Sequence, residues 1–293
     1  MANLKEVRNR ITSVSSTQQI TSAMKMVSAA KLRRAQDAIV QMRPYASKLK
    51  EILENLSASL NSSEGIYSKQ RDVKNVLLIV ITSNRGLCGG FNANINRTVN
   101  RMIREEYAAQ AKEGNVKVLA IGKKATDFFS KQANVYGGNH NDVYLKLNFV
   151  SVSAIAEKVM KEFADGNYDK VEVVYNQFKN AAVQYVITEQ VLPIVPPKKK
   201  ANESKAANDY IFEPNKEDLV LDLIPKTIKI QLYKALLDSH ASEHGARMTA
   251  MNKATDNAGE ILKALRLEYN KRRQAAITGE ILEIVAGAEA LNG

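Results

Sequence analysis

The sequence predicts an α/β protein in which two long terminal helices form an antiparallel coiled coil and a Rossmann-like α/β domain lies between them in the chain. Apolar residues recur at steps of three and four over the first 56 residues, short β-branched runs fill the middle, and helical periodicity returns after Pro214. We therefore expect an N-terminal coiled-coil helix over residues 1–58, a central globular domain over 59–208 and a C-terminal coiled-coil helix over 209–293.

The first helix carries the apolar seam of a coiled coil. The seam residues are Leu4, Val7, Ile11, Val14, Leu32, Ala35, Ile39, Met42, Ala46, Leu49, Leu53 and Leu56. At mid-helix the seam register is occupied by the polar residues Gln18, Thr21, Lys25 and Ser28. The apolar residues there lie one position earlier and are Ile20, Met24 and Val27. This shift predicts that the surface packed against the helix changes there. We expect Pro44 to kink the helix rather than end it, because the seam resumes at Ala46.

The middle of the chain has the pattern of a parallel sheet covered by helices. The predicted strands are residues 76–82, 116–122, 171–178 and 182–194. Amphipathic stretches over 92–111 and 152–164 separate the first three strands, which is the order of βαβ units. The last two strands are close enough in sequence to form an antiparallel hairpin.

The second long helix also has a seam. Its residues are Met248, Met251, Thr255, Ala258, Leu262, Leu265 and Tyr269 and, after a shift of one position, Ile277, Ile281, Ile284, Ala288 and Leu291. Internal glycines each cost about 1 kcal/mol in a helix, so this helix needs a partner. The simplest pairing is antiparallel, with the N-terminal end of the first helix near the middle of the second and the C-terminal tip extending beyond it. The alternative is a compact bundle, but the length of the helices favours the coiled coil.

The loop TSNRGLCGGFN, residues 82–92, joins a predicted strand to a predicted helix, where nucleotide-binding folds hold phosphate. Its glycines do not form G-x-G-x-x-G, and the chain has no G-x-x-x-x-G-K-[ST]. A tight turn needs glycine for steric reasons alone, so we interpret the loop as structural.

Few residues offer catalytic or metal chemistry. The chain has three histidines, His140, His240 and His244, and the single cysteine Cys88, with no H-E-x-x-H or paired C-x-x-C motif. Two of the histidines could share a helix face, but solvent-facing imidazoles are a simpler interpretation than a metal site. We expect no catalytic residue, no metal ion and no cofactor, and one cysteine favours a reducing compartment.

Positive charge is concentrated in the first helix. The chain has a net charge of +11, and residues 1–58 hold ten Lys or Arg against four Asp or Glu, whereas residues 240–293 hold seven of each. Such charge usually marks a solvated face, and it also suits an acidic protein surface, lipid headgroups or nucleic acid.

The last stretch, residues 281–291, is apolar nearly all round the helix. Such a surface is rarely left in water, so it either folds back onto the globular domain or enters an apolar sleeve made by another protein. No run of residues is long and apolar enough for a membrane span, and no signal-peptide core follows the N-terminus, so we expect a place in the cytoplasm or on a membrane surface.

Four ordered segments resemble the γ subunit of F-type ATP synthases. They are STQQITSAMKMVSAAKLRRA (16–35), NRGLCGGFN (84–92), ARMTAMNKATDNA (246–258) and YNKRRQAAITGEILEIVAGAEAL (269–291). Asn84 stands where this family commonly has Asp, and Gly245 and Gly279 stand where bulkier residues are frequent. These departures affect local contacts and not the resemblance.

The resemblance implies a non-catalytic rotor subunit of the membrane ATP synthase. In this family the coiled coil lies on the axis of a hexamer of alternating α and β subunits, and the globular foot stands with ε on a ring of c subunits. Ion flow turns the ring and the shaft, and the asymmetric shaft biases the three β subunits among nucleotide-affinity states. The implied location is peripheral, on the cytoplasmic face of the bacterial plasma (inner) membrane.

The resemblance also implies contact residues. Arg273 and Gln274 are expected to meet a β-subunit loop, Tyr210 and Glu213 to lie near the c ring, and the bearing tip to include Ile281, Ile284, Val285 and Leu291. The expected contacts to the acidic lever region of β are Met24, Lys31, Arg33 and Arg34. The alternative function, a basic coiled-coil nucleic-acid-binding protein, is supported by a pI near 9.5 but lacks zinc spacing, RNP-like aromatics and a bZIP arrangement.

Overall fold

The computed structural model describes residues 4–57, 66–68, 70–132, 135–194 and 216–292. The chain divides into two compact units. The first, here called the helix-pair unit, contains Met1–Ala29 and Arg247–Gly293, and the second, the sheet unit, contains Ala30–Ala246.

Two long helices begin and end the described chain, as the seams predict. Helix α1 spans Leu4–Ser57 and helix α6 spans Lys216–Asn292, and they have 54 and 77 residues. Pro44 lies inside α1 without ending it, as expected, and Pro225 lies inside α6. Within the described ranges, no helix is both long and apolar enough to cross a membrane.

The packed face of α1 keeps one register. In the helix-pair unit Val7, Thr21 and Ser28 are buried, whereas Ile20 and Val27 are 60% and 57% exposed. In the sheet unit the buried seam continues through Leu32, Ala35, Ile39 and Leu49. The predicted change of packing surface at mid-helix is therefore wrong: the polar residues stay packed, and the apolar residues beside them face outwards.

The sheet unit is built on a five-stranded sheet of order β3-β2-β1-β4-β5. The strands are β1 Val76–Ile81, β2 Val116–Ile121, β3 Tyr136–Asn139, β4 Lys170–Phe178 and β5 Gln184–Leu192. The first four are parallel, while β5 pairs antiparallel with β4. The predicted βαβ order and terminal hairpin are confirmed.

The residues of β1 are buried on both sides because helices cover both faces of this sheet. One core packs Leu77, Ile79 and Ile81 against α5 (Phe149–Ala164) and against α6 residues between 224 and 236. The other packs Val76, Leu78 and Val80 against α2 (Phe91–Glu105) and α4 (Lys123–Phe129). A short α3 (Ala108–Lys112) and a 3-10 turn (Asn141–Tyr144) complete the layers.

Candidate functional site

Side-chain contacts in the helix-pair unit show that α1 and α6 run in opposite directions. Arg8 contacts Tyr269, Thr21 contacts Thr255 and Lys25 contacts Asn252, so each step up α1 is matched by a step down α6. The antiparallel coiled coil is therefore confirmed. However, Lys25 contacts Asn252 near the middle of α6, whereas Arg8, near the N-terminal end of α1, contacts Tyr269, which is closer to the C-terminal end of α6. The placement predicted for that end is wrong.

The end of the pair is held by Arg8 and Tyr269. The Arg8 guanidinium donates a hydrogen bond of 2.7 Å to the Tyr269 hydroxyl, and its Cζ lies 5.6 Å from the centre of that ring. This hydrogen bond raises the pKa of Arg8 above its ordinary value. The contact joins the two helices about where the apolar residues of α1 begin.

The middle of the pair is polar. The Thr255 hydroxyl donates to Thr21 Oγ1 at 2.8 Å, and Lys25 Nζ donates to Asn252 Oδ1. At Gly259 an added Cβ would lie 3.1 Å from Gln18 Nε2, so the helices approach closely there. Polar residues at seam positions reduce coiled-coil stability and specify its register. Sequence periodicity finds the polar residues of α1 but not the identity of their partners, such as Asn252.

An apolar surface lies on the outer side of this polar section. Met24 is half-buried, while Ile20, Met26 and Val27 are 60%, 65% and 57% exposed. No described residue covers them. The resemblance predicts a β-subunit contact through Met24 in this part of α1.

Arg273 and Gln274 are exposed on α6, four and five residues beyond Tyr269. The preceding Arg272 forms an ion pair with Glu268, whose Oε1 accepts from its Nε at 2.9 Å. Arg273 has no ion pair within the described ranges. Met24 faces the region of residue 252, about 20 residues away along α6, or roughly 30 Å at helical rise. The structure therefore separates these two expected contacts into two places on the helix pair.

The last described turns of α6 form an exposed apolar tip. Ile281, Ile284 and Val285 are 54%, 70% and 54% exposed. Leu291 is in the helix, but its side chain lies outside the described part of the structure. The tip therefore presents an apolar surface.

The remaining expected contacts belong to the sheet unit or lie outside the description. Lys31, Arg33 and Arg34 are exposed on α1, on either side of the buried Leu32. Tyr210 and Glu213 fall in residues 195–215, outside the described residues.

The polar side chains of the loop after β1 form hydrogen bonds within the sheet unit. Asn92 Oδ1 accepts from the backbone N–H of Ser83 at 2.9 Å, and Asn92 Nδ2 contacts the buried Cys88 Sγ at 3.2 Å. Asn84 Oδ1 accepts from the N–H of Lys123 at 2.8 Å, and its Nδ2 donates to the carbonyl of Asn141. These contacts agree with a structural loop. They also show that Asn84 uses a donor that an aspartate lacks.

Of the two histidines of α6, His244 is buried and His240 is half-buried, which corrects the expectation that both face solvent. His244 is 5% exposed, and its Nε2 lies 3.2 Å from His240 Nε2. Their burial follows from the docking of this part of α6 on the sheet unit, which periodicity alone does not reveal. Within the described ranges no group of three or more His, Cys, Asp or Glu side chains is placed to hold a metal ion.

Known proteins resemble this chain over nearly its whole length. The family model described as ATP synthase matches residues 3–291. The chain is 61% identical over 294 residues to the ATP synthase gamma chain of Flavobacterium johnsoniae, and 54% identical to that of Cytophaga hutchinsonii, with 100% of both chains covered in each case. The gamma chain of Chlorobaculum tepidum is 47% identical, with 99% of each chain covered.

Solved structures agree with these relatives. A chain of the central stalk and c-ring of the Tetrahymena thermophila mitochondrial ATP synthase matches with a TM-score of 0.57 at 27% identity, covering 80% of this chain and 99% of that one. A chain of the Euglena gracilis mitochondrial ATP synthase rotor has a TM-score of 0.63 at 22% identity, covering 94% and 98%, and supports the fold. None of these matches supports the nucleic-acid-binding alternative.

Proposed function

Because this chain belongs to the ATP synthase gamma-chain family, we infer that it is the central-stalk rotor subunit of an ATP synthase. It couples ion flow through a c-subunit ring to ATP synthesis or hydrolysis on β subunits. The observation that carries this inference is the antiparallel pairing of α1 and α6 over a polar seam, with one helix continuing beyond the other. A stiff pair with different surfaces around its axis can transmit torque and present a different contact to each surrounding subunit.

The rotor has no catalytic role of its own in this proposal. The loop after β1 lacks a phosphate-binding fingerprint, and its Asn84 and Asn92 side chains hydrogen-bond to other groups of the sheet unit, which supports this view. ATP chemistry then belongs to the β subunits, and the contribution of this chain is a difference in contact energy between rotor orientations. Such a difference shifts each β subunit among affinity states by linkage.

We propose three contact regions on the rotor. Arg273 and Gln274 meet a β-subunit loop, where the exposed Arg273 guanidinium can form two parallel hydrogen bonds to a carboxylate. Met24, Lys31, Arg33 and Arg34 meet the acidic lever region of β through apolar and charged surface. The tip with Ile281, Ile284, Val285 and Leu291 turns inside an apolar bearing formed by the α and β subunits.

The foot of the rotor stands with ε on the c ring, and Tyr210 and Glu213 are the residues proposed to lie near that ring. The complex places the chain peripherally at a membrane. Its relatives with the highest identities above are bacterial, which supports the cytoplasmic face of a bacterial inner membrane.

A pull-down from detergent-solubilised membranes tests the assignment. An affinity-tagged copy of the chain should bring α, β, ε and c subunits with it, and the eluted complex should hydrolyse ATP while the purified chain alone should not. Recovery of nucleic acid that is lost steeply as salt rises, without these subunits, would instead support the nucleic-acid-binding alternative. Turnover by the pure chain that is abolished by a substitution in it would contradict the non-catalytic role.

A further inference from the structure

An open groove of about 700 Å³ lies between α2 and α4 on one face of the sheet unit. Its α2 side carries Arg97, Arg101 and Arg104, and its other side carries Lys124 and Lys131. The lining holds two acidic side chains, Glu105 and Asp127, against these five basic ones, a net of +3. The groove is therefore strongly basic for its size.

The three arginines are free to bind a partner. They are exposed and follow one another at i, i+4 and i+7, so they form one row along α2. None of them has an ion pair or hydrogen bond in the described part of the chain. The ammonium group of Lys124 lies 3.7 Å from Asp127 Oδ2, which is a long ion pair. The basic charge is thus not neutralised within the fold.

These features favour a polypeptide over other anions. Phe128 is the one aromatic residue among the lining residues, and it is 37% exposed, so the groove offers little stacking surface for nucleic-acid bases. A concave surface also fits a helix better than it fits a flat membrane. Carboxylates at i, i+4 and i+7 on a helix repeat with the same spacing as the arginines of α2, about 10 Å from first to last.

We propose that this groove docks an acidic helix of a partner polypeptide, with its carboxylates paired to Arg97, Arg101 and Arg104. Arginine forms bidentate hydrogen bonds with carboxylates, so the row provides direction as well as charge. The proposal depends on the geometry of the sheet unit and not on the rotor function.

Fluorescence anisotropy with the purified full-length chain tests the proposal. The probe is a labelled alanine-rich helical peptide with glutamates at i, i+4 and i+7, compared with a peptide of the same composition whose glutamates are spread around the helix. The patterned peptide should bind more tightly, and the double variant Arg97→Glu/Arg101→Glu should weaken its binding by about tenfold or more. The matched control Lys158→Glu/Lys161→Glu makes the same charge change on the exposed side of α5, on the other sheet face, and should leave binding unchanged.

Three results would overturn the proposal. The two peptides could bind equally, or the arginine variant could bind like the unmodified chain although its circular dichroism shows it folded. The third result is arginine-dependent binding of phosphatidylglycerol vesicles or of a short single-stranded oligonucleotide, without binding of the patterned peptide. That result would identify a different class of partner.

Discussion

The Arg273 side chain provides a sharp test of the proposed β-subunit contact. It is exposed and has no ion pair within the described ranges, so the Arg273→Ala substitution removes nothing that holds the subunit together. Surface changes of this kind alter stability by no more than about 0.5 kcal/mol. We therefore expect the purified variant to unfold at nearly the same temperature as the unmodified chain.

The effect on coupling should be much larger. A hydrogen bond to a charged group contributes about 1.5–3 kcal/mol, and each 1.4 kcal/mol corresponds to about a tenfold change. If Arg273 contacts a carboxylate at a critical rotor orientation, Arg273→Ala should lower the rate of coupled ATP synthesis by roughly tenfold or more. Arg273→Lys should lie between the two, because lysine keeps the charge but loses the planar fork.

The assay is ATP synthesis by inverted membrane vesicles that carry the variant complex, after subunit content has been matched. Lys271→Ala is the control, since it removes one exposed positive charge two residues away on the same helix. Normal synthesis by assembled Arg273→Ala complexes would refute the contact. An equal loss in the Lys271 variant would show that general charge matters and that a specific guanidinium contact does not exist.

The other predictions concern the tip, the glycines and the loop. Deleting the chain from Ile281 onwards should leave the helix pair folded but weaken retention of the chain by α and β subunits, measured by copurification; undiminished retention would argue against a bearing role. Gly122→Ala should lower the free energy of unfolding in urea by at least about 3 kcal/mol, because the new Cβ would lie 2.2 Å from the Thr82 carbonyl oxygen at a φ of +111°. Gly279→Ala, where the new Cβ meets open space, should raise it by about 1 kcal/mol. Equal midpoints for the two variants would contradict this geometry. Asn84→Asp should lower the free energy of unfolding by about 1 kcal/mol, because aspartate cannot donate a hydrogen bond to the Asn141 carbonyl. An unchanged unfolding midpoint would show that this hydrogen bond does not contribute to stability.

Periodicity predicted the long helices and most of the sheet because each of those elements is long or strongly patterned. It missed α4, whose seven residues are too few for a helical period to emerge, and β3, whose sequence YGGN has two glycines and no alternation. Both elements exist because neighbouring strands and helices hold them in place. Local sequence carries little of that information.

The candidate functional residues also divide into those that the sequence reveals and those that only the structure reveals. The apolar tip and the basic cluster around Arg33 were visible from residue type and spacing alone. The burial of His244 and the groove beside Arg101 depend on how a helix docks on the sheet, and a helical pattern does not state which of its faces meets which neighbour. The contact of Thr21 with Thr255 likewise required the register between two distant segments.

Single-molecule rotation of the assembled complex tests the central claim most directly. A gold rod attached at Lys161→Cys, an exposed position on α5, reports the motion of the sheet unit, while the native Cys88 is buried and should not react with the label. With the β subunits fixed to a surface and ATP supplied, we predict continuous rotation in one direction, with three equally spaced dwell positions in each turn. A rod that only fluctuates about one orientation, while the same complexes hydrolyse ATP at the normal rate, would contradict the rotor function.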